Sequence, residues 1–310
     1  MVEIQCAAGA VQHDKLGVTL AHEHLVLASP GLPEQYPWLY DRDALVSHAA
    51  AELREAAEAG VGTIVDVSPP DLGRDIELIR AISEVSGVNV VACTGIWIDI
   101  PRWFSVASQD DIEQVFQREI EHGIAGSGVR AGVIKLANNA DPGIGEVQEK
   151  VLRAAAAVAA RTLVPITTHT SPYTIGRDQM RVFADTDVPP HLVAIGHAFT
   201  GDVSYLREVL DAGHYLSIDN FKPGRENEPE VLDAIALLCE EGRADHIMLS
   251  HDHVPEWDWT PHEAHEPPST FIYLPTVVRP ALSERGVSDA NLDAMLIEAP
   301  ATFLSGGRES

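Results

Sequence analysis

The chain has 310 residues, 45% of them hydrophobic and 22% charged, enough apolar material for one large core. Its 47 acidic against 21 basic residues leave a formal net charge of -26, and a surface of that sign repels nucleic acid and anionic membrane, so neither is expected as a partner. Cys6, Cys93 and Cys239 are far apart and odd in number, which excludes a disulfide framework; with no secretion signal and no long apolar run, the sequence predicts a cytoplasmic protein.

In chain order, the pattern predicts a strand over Val18–Leu25 and a helix over Asp43–Ala59, stopped by Gly60. The alternation then repeats, with predicted strands at Gly62–Val67, Asn89–Gly95 and Gly132–Ala137 followed by helices at Gly73–Val85, Asp110–Ile124 and Gly145–Arg161. Val164–His169, Leu192–His197 and Tyr215–Asp219 continue it, each ahead of an amphipathic helix. Ile247–Asp252 opens an eighth unit that closes with helices near Ile272–Arg285 and Asp289–Ile297. Short apolar strands separated by helices must pair in parallel, because each helix returns the chain to start the next strand. Eight such units predict an α/β fold, a (β/α)8 TIM barrel forming a single domain over residues 1–310. An open doubly wound sheet competes, but no GxGxxG follows the first strand and no GxxxxGK[ST] occurs.

The first strand ends in Thr19-Leu20-Ala21-His22-Glu23-His24-Leu25. Residues two apart on a strand share a face, so His22 and His24 point together, able to share one metal ion, while Glu23 turns away. Lys135, His169, His197 and Asp252 fall at or near the C-terminal ends of the fourth, fifth, sixth and eighth strands, the rim on which such barrels build their sites. Each has a plainer reading alone: a hydrogen-bonded histidine, a helix-capping aspartate, a snorkelling lysine. Six at one mouth favour the joint reading. A lysine there must be desolvated, ion-paired or chemically altered, and carbamylation by carbon dioxide would make it an anionic group able to bridge two cations.

The stretches GVTLAHEHL, TIVDVSPPDLGRD, VVACTGIW, GVIKLA, PITTH, IGH, LSHD and ERGVSDANLDAML, in this order, make the chain resemble the phosphotriesterase family of the amidohydrolase superfamily over essentially its whole length. The resemblance implies a distorted TIM barrel with a binuclear centre. His22, His24 and Asp252 would hold the more buried metal, His169 and His197 the more exposed one, and carbamylated Lys135 would bridge them together with a hydroxide. It implies a homodimer as well. Imidazole and carboxylate ligands suit zinc, and also cobalt, manganese or iron. Such a centre would activate water against a carbonyl or phosphoryl group. Asp252 would take the proton and pass it to His251, His253 or His197, of which His251 is the least suited because it faces away on an ideal strand.

Around this centre, Asp66 is a candidate to orient a histidine, and Gly73-Arg74-Asp75 reads as a helix start with a salt bridge. Trp97, His253 and Trp257, with Trp259, are candidate walls of the substrate pocket. The loop from His253 to Ser269 is long and placed to choose the substrate, although its His/Glu content has no tight metal spacing. CTGIWIDIP and LSHDH resemble the lactonase branch of the family, but Trp97 stands where that branch has a tyrosine and Asn220 where it has an arginine. The expected substrate is a small-molecule lactone or carboxyl ester, with organophosphate triesters as an accompanying activity. A dedicated aryldialkylphosphatase is the alternative. A mononuclear deaminase would have no use for Lys135, and a non-catalytic metal-binding barrel is disfavoured by the complete ligand set.

Overall fold

The structure, a computed structural model, describes residues 2–257, 260–261 and 270–308. Eight strands follow one another around one sheet: β1 (Val18–Glu23), β2 (Val61–Asp66), β3 (Asn89–Gly95), β4 (Val133–Asn139), β5 (Ile166–Ser171), β6 (Val193–Ile195), β7 (Tyr215–Ile218) and β8 (Ile247–Leu249). Every registered pairing among them is parallel. Between them run α1 (Arg42–Glu58), α2 (Ile76–Ser86), α3 (Gln109–Glu121), α4 (Glu146–Thr162), α5 (Gly176–Ala184), α6 (Val203–Asp211) and α7 (Glu228–Glu240). This is the expected (β/α)8 TIM barrel. β6 and β8 end earlier than the sequence predicts, because the backbone turns left-handed at His197 (φ 51) and Asp252 (φ 58), out of reach of a strand ladder.

Local chemistry sets the helix ends. Asp41, Asp75 and Asp202 each accept the N–H three residues on, from Ala44, Leu78 and Tyr205, and Ser108 with Asp111 forms a reciprocal capping box. Such a cap contributes about 1 kcal/mol. Gly87, at φ 77, closes α2 in a conformation only glycine adopts without strain.

The strands alternate between two apolar layers. Ile64, Val90, Ile134, Ile166, Leu216 and Ile247 pack outward against the helices, whereas Val65, Val91, Val133, Ala194, Tyr215 and Met248 fill the barrel interior. An N-terminal ribbon, Glu3–Ile4 paired with Val11–Gln12, plugs the lower end through Ile4 and Cys6. Toward the C-terminal ends of the strands the same inward faces turn polar.

β1 departs from the ideal strand of the sequence reading. Leu20 pairs with Ile64 and Glu23 with Asp66, so three steps on β1 oppose two on β2. This bulge inserts one residue, and it is what carries both Ala21 and His22 to the interior side. Above the barrel, Val26–Leu27 pairs in parallel with Glu256–Trp257, which joins the loop after β8 to the loop after β1.

Candidate active site

Val133 lies in the barrel interior, so Lys135, two residues further along β4, enters the same space one layer higher and is 1% exposed. Its Nζ lies 2.6 Å from His22 Nε2. Burial lowers Lys135 to about 8, against the pull of Asp252 and Asp219. His22 Nε2 is also 3.7 Å from Asp252 Oδ1, and His24 Nε2 is 3.3 Å from the same oxygen. On the other side, His197 Nε2 lies 3.8 Å from Asp252 Oδ2 and 2.6 Å from His169 Nδ1. The structure therefore brings together all six residues that the sequence placed at the mouth.

Neighbours hold these rings. His24 Nδ1 meets Ser68 Oγ at 2.8 Å, His169 Nε2 meets Asn139 Oδ1 at 3.2 Å, and His197 Nδ1 meets Asp219 Oδ1 at 2.5 Å. Asp219 Oδ2 accepts the His197 N–H and lies 3.2 Å from His22 Nδ1. The sequence reading had omitted Asp219, although it ends predicted strand seven as Asp252 ends strand eight; the same positional rule finds both. Among the described residues Asp66 accepts no hydrogen bond from a histidine ring, although it acts on His24 through its charge. It accepts the N–H groups of Leu25 and Ser68, and so fixes the turn after His24 and the serine that orients that ring.

The electrostatics favour neutral His22 and His169 beside an ionised Asp252. Burial, then Lys135 and His197, pushes His22 far below its ordinary value, and burial with His197 pushes His169 down to about 2. Burial works against ionisation of Asp252, but His197, His24 and His22 outweigh it and hold the carboxyl well below its usual range. His197 is raised: burial opposes its charge, and Asp219 with Asp252 overcomes that opposition.

This donor set fits a cation. His169 Nδ1 and His197 Nε2 lie 2.6 Å apart while the far nitrogens of the two rings are held by Asn139 and Asp219, so both rings present a nitrogen to the same point. Single ligating atoms of His22, His24 and Asp252 lie within 4.8 Å of one another, as do those of His22, His197 and Asp219.

Above the cluster opens a cavity of about 370 Å³ with apolar walls at Leu27, Leu72 and Val254 and polar groups at Asp71, Asn220 and Lys222. Lys135, His169 and Asp252 reach its floor. Trp97 lines it, its ring edge-on to His169 at 5.6 Å and its backbone N–H donated to Asp71 Oδ1 at 2.9 Å. Burial pushes Asp71 up to about 6. Asn220 occupies the place of the expected arginine, yet positive charge is close by: Arg225 donates to Asn220 Oδ1 at 2.6 Å, and Lys222 is part of the cavity wall.

His253 is a correction to the pocket expectation. The left-handed turn at Asp252 breaks strand alternation, so the His253 ring points to the helix side, 2.8 Å from Glu52 Oε2 on α1 and packed on Phe271. His251 has both nitrogens engaged, Nδ1 with Glu23 and Nε2 accepting the Leu274 N–H, and so cannot relay a proton. Arg74 is an ion-pair residue as expected, bonded to Glu119 and to the Cys93 carbonyl. The Trp257 backbone pairs with Leu27, but its side chain, like Trp259, His262 and His265, lies outside the described residues.

The model of the phosphotriesterase family matches residues 2–304. The chain is 36% identical to a phosphotriesterase homology protein of Mycobacterium tuberculosis, with 97% of each chain covered. It is 33% identical to an aryldialkylphosphatase of Saccharolobus solfataricus, over 96% of this chain and 97% of that one. A solved structure described as the phosphotriesterase from Mycobacterium tuberculosis superposes with a TM-score of 0.91 at 36% identity, covering 97% of this chain and 98% of the other. A whole-length match of sequence and fold, on a barrel whose rim gathers these histidines with Lys135 and Asp252, means that the chain belongs to the phosphotriesterase family.

Proposed function

We propose that this chain is a binuclear-metal hydrolase of lactones or carboxyl esters, with organophosphate triesters as slower substrates. The observation that carries the reading is the convergence of six nitrogen- and oxygen-bearing side chains from five strands beneath one small, partly apolar cavity. His22, His24 and Asp252 would hold one divalent cation and His169 and His197 the other, with carbamylated Lys135 between them. When bound, the cations supply Lewis acidity, both for water and for the carbonyl or phosphoryl oxygen of the substrate. Zinc suits these ligands, as do cobalt, manganese and iron.

The chain's own groups supply the rest. A lysine lowered to about 8 presents a share of neutral amine near neutral pH, the form that takes up carbon dioxide with loss of one proton. Asp252, ionised and with its side chain 24% exposed to the cavity, accepts the proton of the attacking water and releases it to solvent there. Both ring nitrogens of His251 are engaged elsewhere, and His197 Nε2 is committed to the cluster. Trp97 and the apolar wall bind the neutral body of the substrate and exclude water.

A dedicated aryldialkylphosphatase is the second reading, supported by the relative of that name. A cytoplasmic setting fits three free, buried cysteines, and no described helix is long and apolar enough to cross a membrane. A homodimer is part of the same proposal, as the family resemblance implies. Metal analysis of purified protein tests the centre: two equivalents per chain are expected, and one or none refutes it. A panel of γ- and δ-lactones, aryl esters and paraoxon-like triesters then ranks the substrates by kcat/KM; a preference for triesters over every lactone reverses the order proposed.

A further inference from the structure

Glu23 stands between His22 and His24 and is fully buried, but it belongs to neither ligand set. Both of its oxygens are spent on the end of β8. Oε1 accepts from Ser250 Oγ at 2.7 Å, from the His251 N–H at 2.8 Å and from His251 Nδ1 at 2.7 Å, while Oε2 accepts from the His253 N–H at 2.7 Å. The two backbone donors flank Asp252, whose own N–H donates to the His22 carbonyl at 3.0 Å. Three consecutive N–H groups are thus tied down around a residue at φ 58. A residue with a Cβ keeps such a backbone only where its surroundings over-determine it. An ionised carboxylate offers two acceptor atoms and no donor, which is what a row of converging N–H and O–H groups requires.

We propose that Glu23 is a positioning residue, a buried clamp that holds Asp252 in its left-handed conformation and so aims the Asp252 carboxylate at His24 and His22. Ser250 extends the clamp: its hydroxyl accepts the His22 N–H at 2.9 Å while donating to Glu23, so one carboxylate sets the first and eighth strands' contributions relative to each other. The functional consequence rests on the reading of Asp252 as metal ligand and proton acceptor, whereas the clamp is a property of the metal-free chain. In Glu23→Gln one acceptor becomes an NH2 group, and whichever way the amide turns, it opposes a backbone N–H.

The test is a double-mutant cycle on metal-free protein unfolded in urea, using wild type, Glu23→Gln, Asp252→Gly and the double variant. Glycine adopts the left-handed backbone without strain, so Glu23→Gln is expected to lower the midpoint much less in the Asp252→Gly background than in wild type. Equal shifts in both backgrounds overturn the clamp. Should Glu23→Gln alone fail to fold, a folded double variant supports the proposal and an unfolded one refutes it. In metal titrations, folded Glu23→Gln is expected to bind its first equivalent at least about tenfold more weakly, with the loss in kcat rather than KM, and Glu23→Asp to recover part of it. Unchanged metal affinity in folded Glu23→Gln overturns the aiming role. A wild-type protein that binds no metal would end the proposed hydrolase function, and the urea cycle would still decide the clamp.

Discussion

Two parts of the barrel wall that lie half a turn apart build the same site by contrasting means. Between β4 and β5 a regular ladder runs through six paired residues, Ile134 with Ile166 up to Asn139 with Ser171, and Lys135 and His169 ride on it as ordinary inward-facing strand residues. Between β8 and β1 no registered strand pair occurs among the described residues, and the gap is bridged by Glu23, by Ser250 and by single backbone bonds such as that from the His24 N–H to the His253 carbonyl. Where the ladder is intact, strand periodicity alone aims the side chain. Where it fails, buried polar groups must do so, and the backbone there takes conformations that strands do not. The ladder should therefore keep its folding stability on loss of a polar group, where the seam should not.

The largest effect is expected on the ladder, because Lys135 is chemically unlike anything around it. Lys135→Ala is predicted to bind less than one equivalent of metal and to lose on the order of 10²–10³ in kcat. Lys135→Glu, which restores a carboxylate, should keep part of both. Equal activity in wild type and Lys135→Ala would remove Lys135 from the mechanism.

Next in size is a pH effect on metal-free protein in buffer free of carbon dioxide. The folded value of Lys135, about 8, lies below the ordinary 10.5, so between these pH values the unfolded chain binds more protons and folding stability rises with pH. Below pH 8 the full penalty of burying the charge is present, at most roughly 3 kcal/mol. Lys135→Met should abolish this rise in urea midpoint between pH 7.5 and about 10. A rise of the same size in the variant would assign it to another group.

At the seam, Ser250→Ala leaves the buried His22 N–H without its acceptor and Glu23 without one donor, and should cost about 2 kcal/mol in urea unfolding. The matching change on the ladder is Thr167→Val. Thr167 is paired with Lys135 across β4 and β5, and its buried hydroxyl has no hydrogen-bond partner among the described residues, so replacing it by an isosteric methyl should be neutral or stabilising by up to about 1 kcal/mol. Comparable losses in the two variants would erase the distinction between seam and ladder.

The same distinction separates what was legible in the residues from what was not. Lys135 and His169 are read correctly as rim residues because the strand around each is regular and its inward face follows from alternation with Val133 and the residues beside it. His22 also reaches the interior, but through a bulge that no alternation rule contains. His253 was expected in the pocket by its place after LSHD and lies instead against Glu52, because one left-handed residue before it reverses the side on which it emerges. Glu23 was correctly seen to turn away from the two histidines, but its purpose was invisible: its partners are the donors of a segment that local spacing cannot place.

The sequence by itself determined the number and order of the β/α units and the rim on which the chemical residues gather, because both follow from short-range periodicity and from parallel strands all pointing one way. Only the tertiary structure decided how strand eight meets strand one, that Asp219 and Ser68 orient the rings, and that Asp252 is held by Glu23. Those outcomes depend on contacts such as His22 with Ser250, 228 residues apart, in which a buried donor takes whichever acceptor closure of the barrel brings within reach.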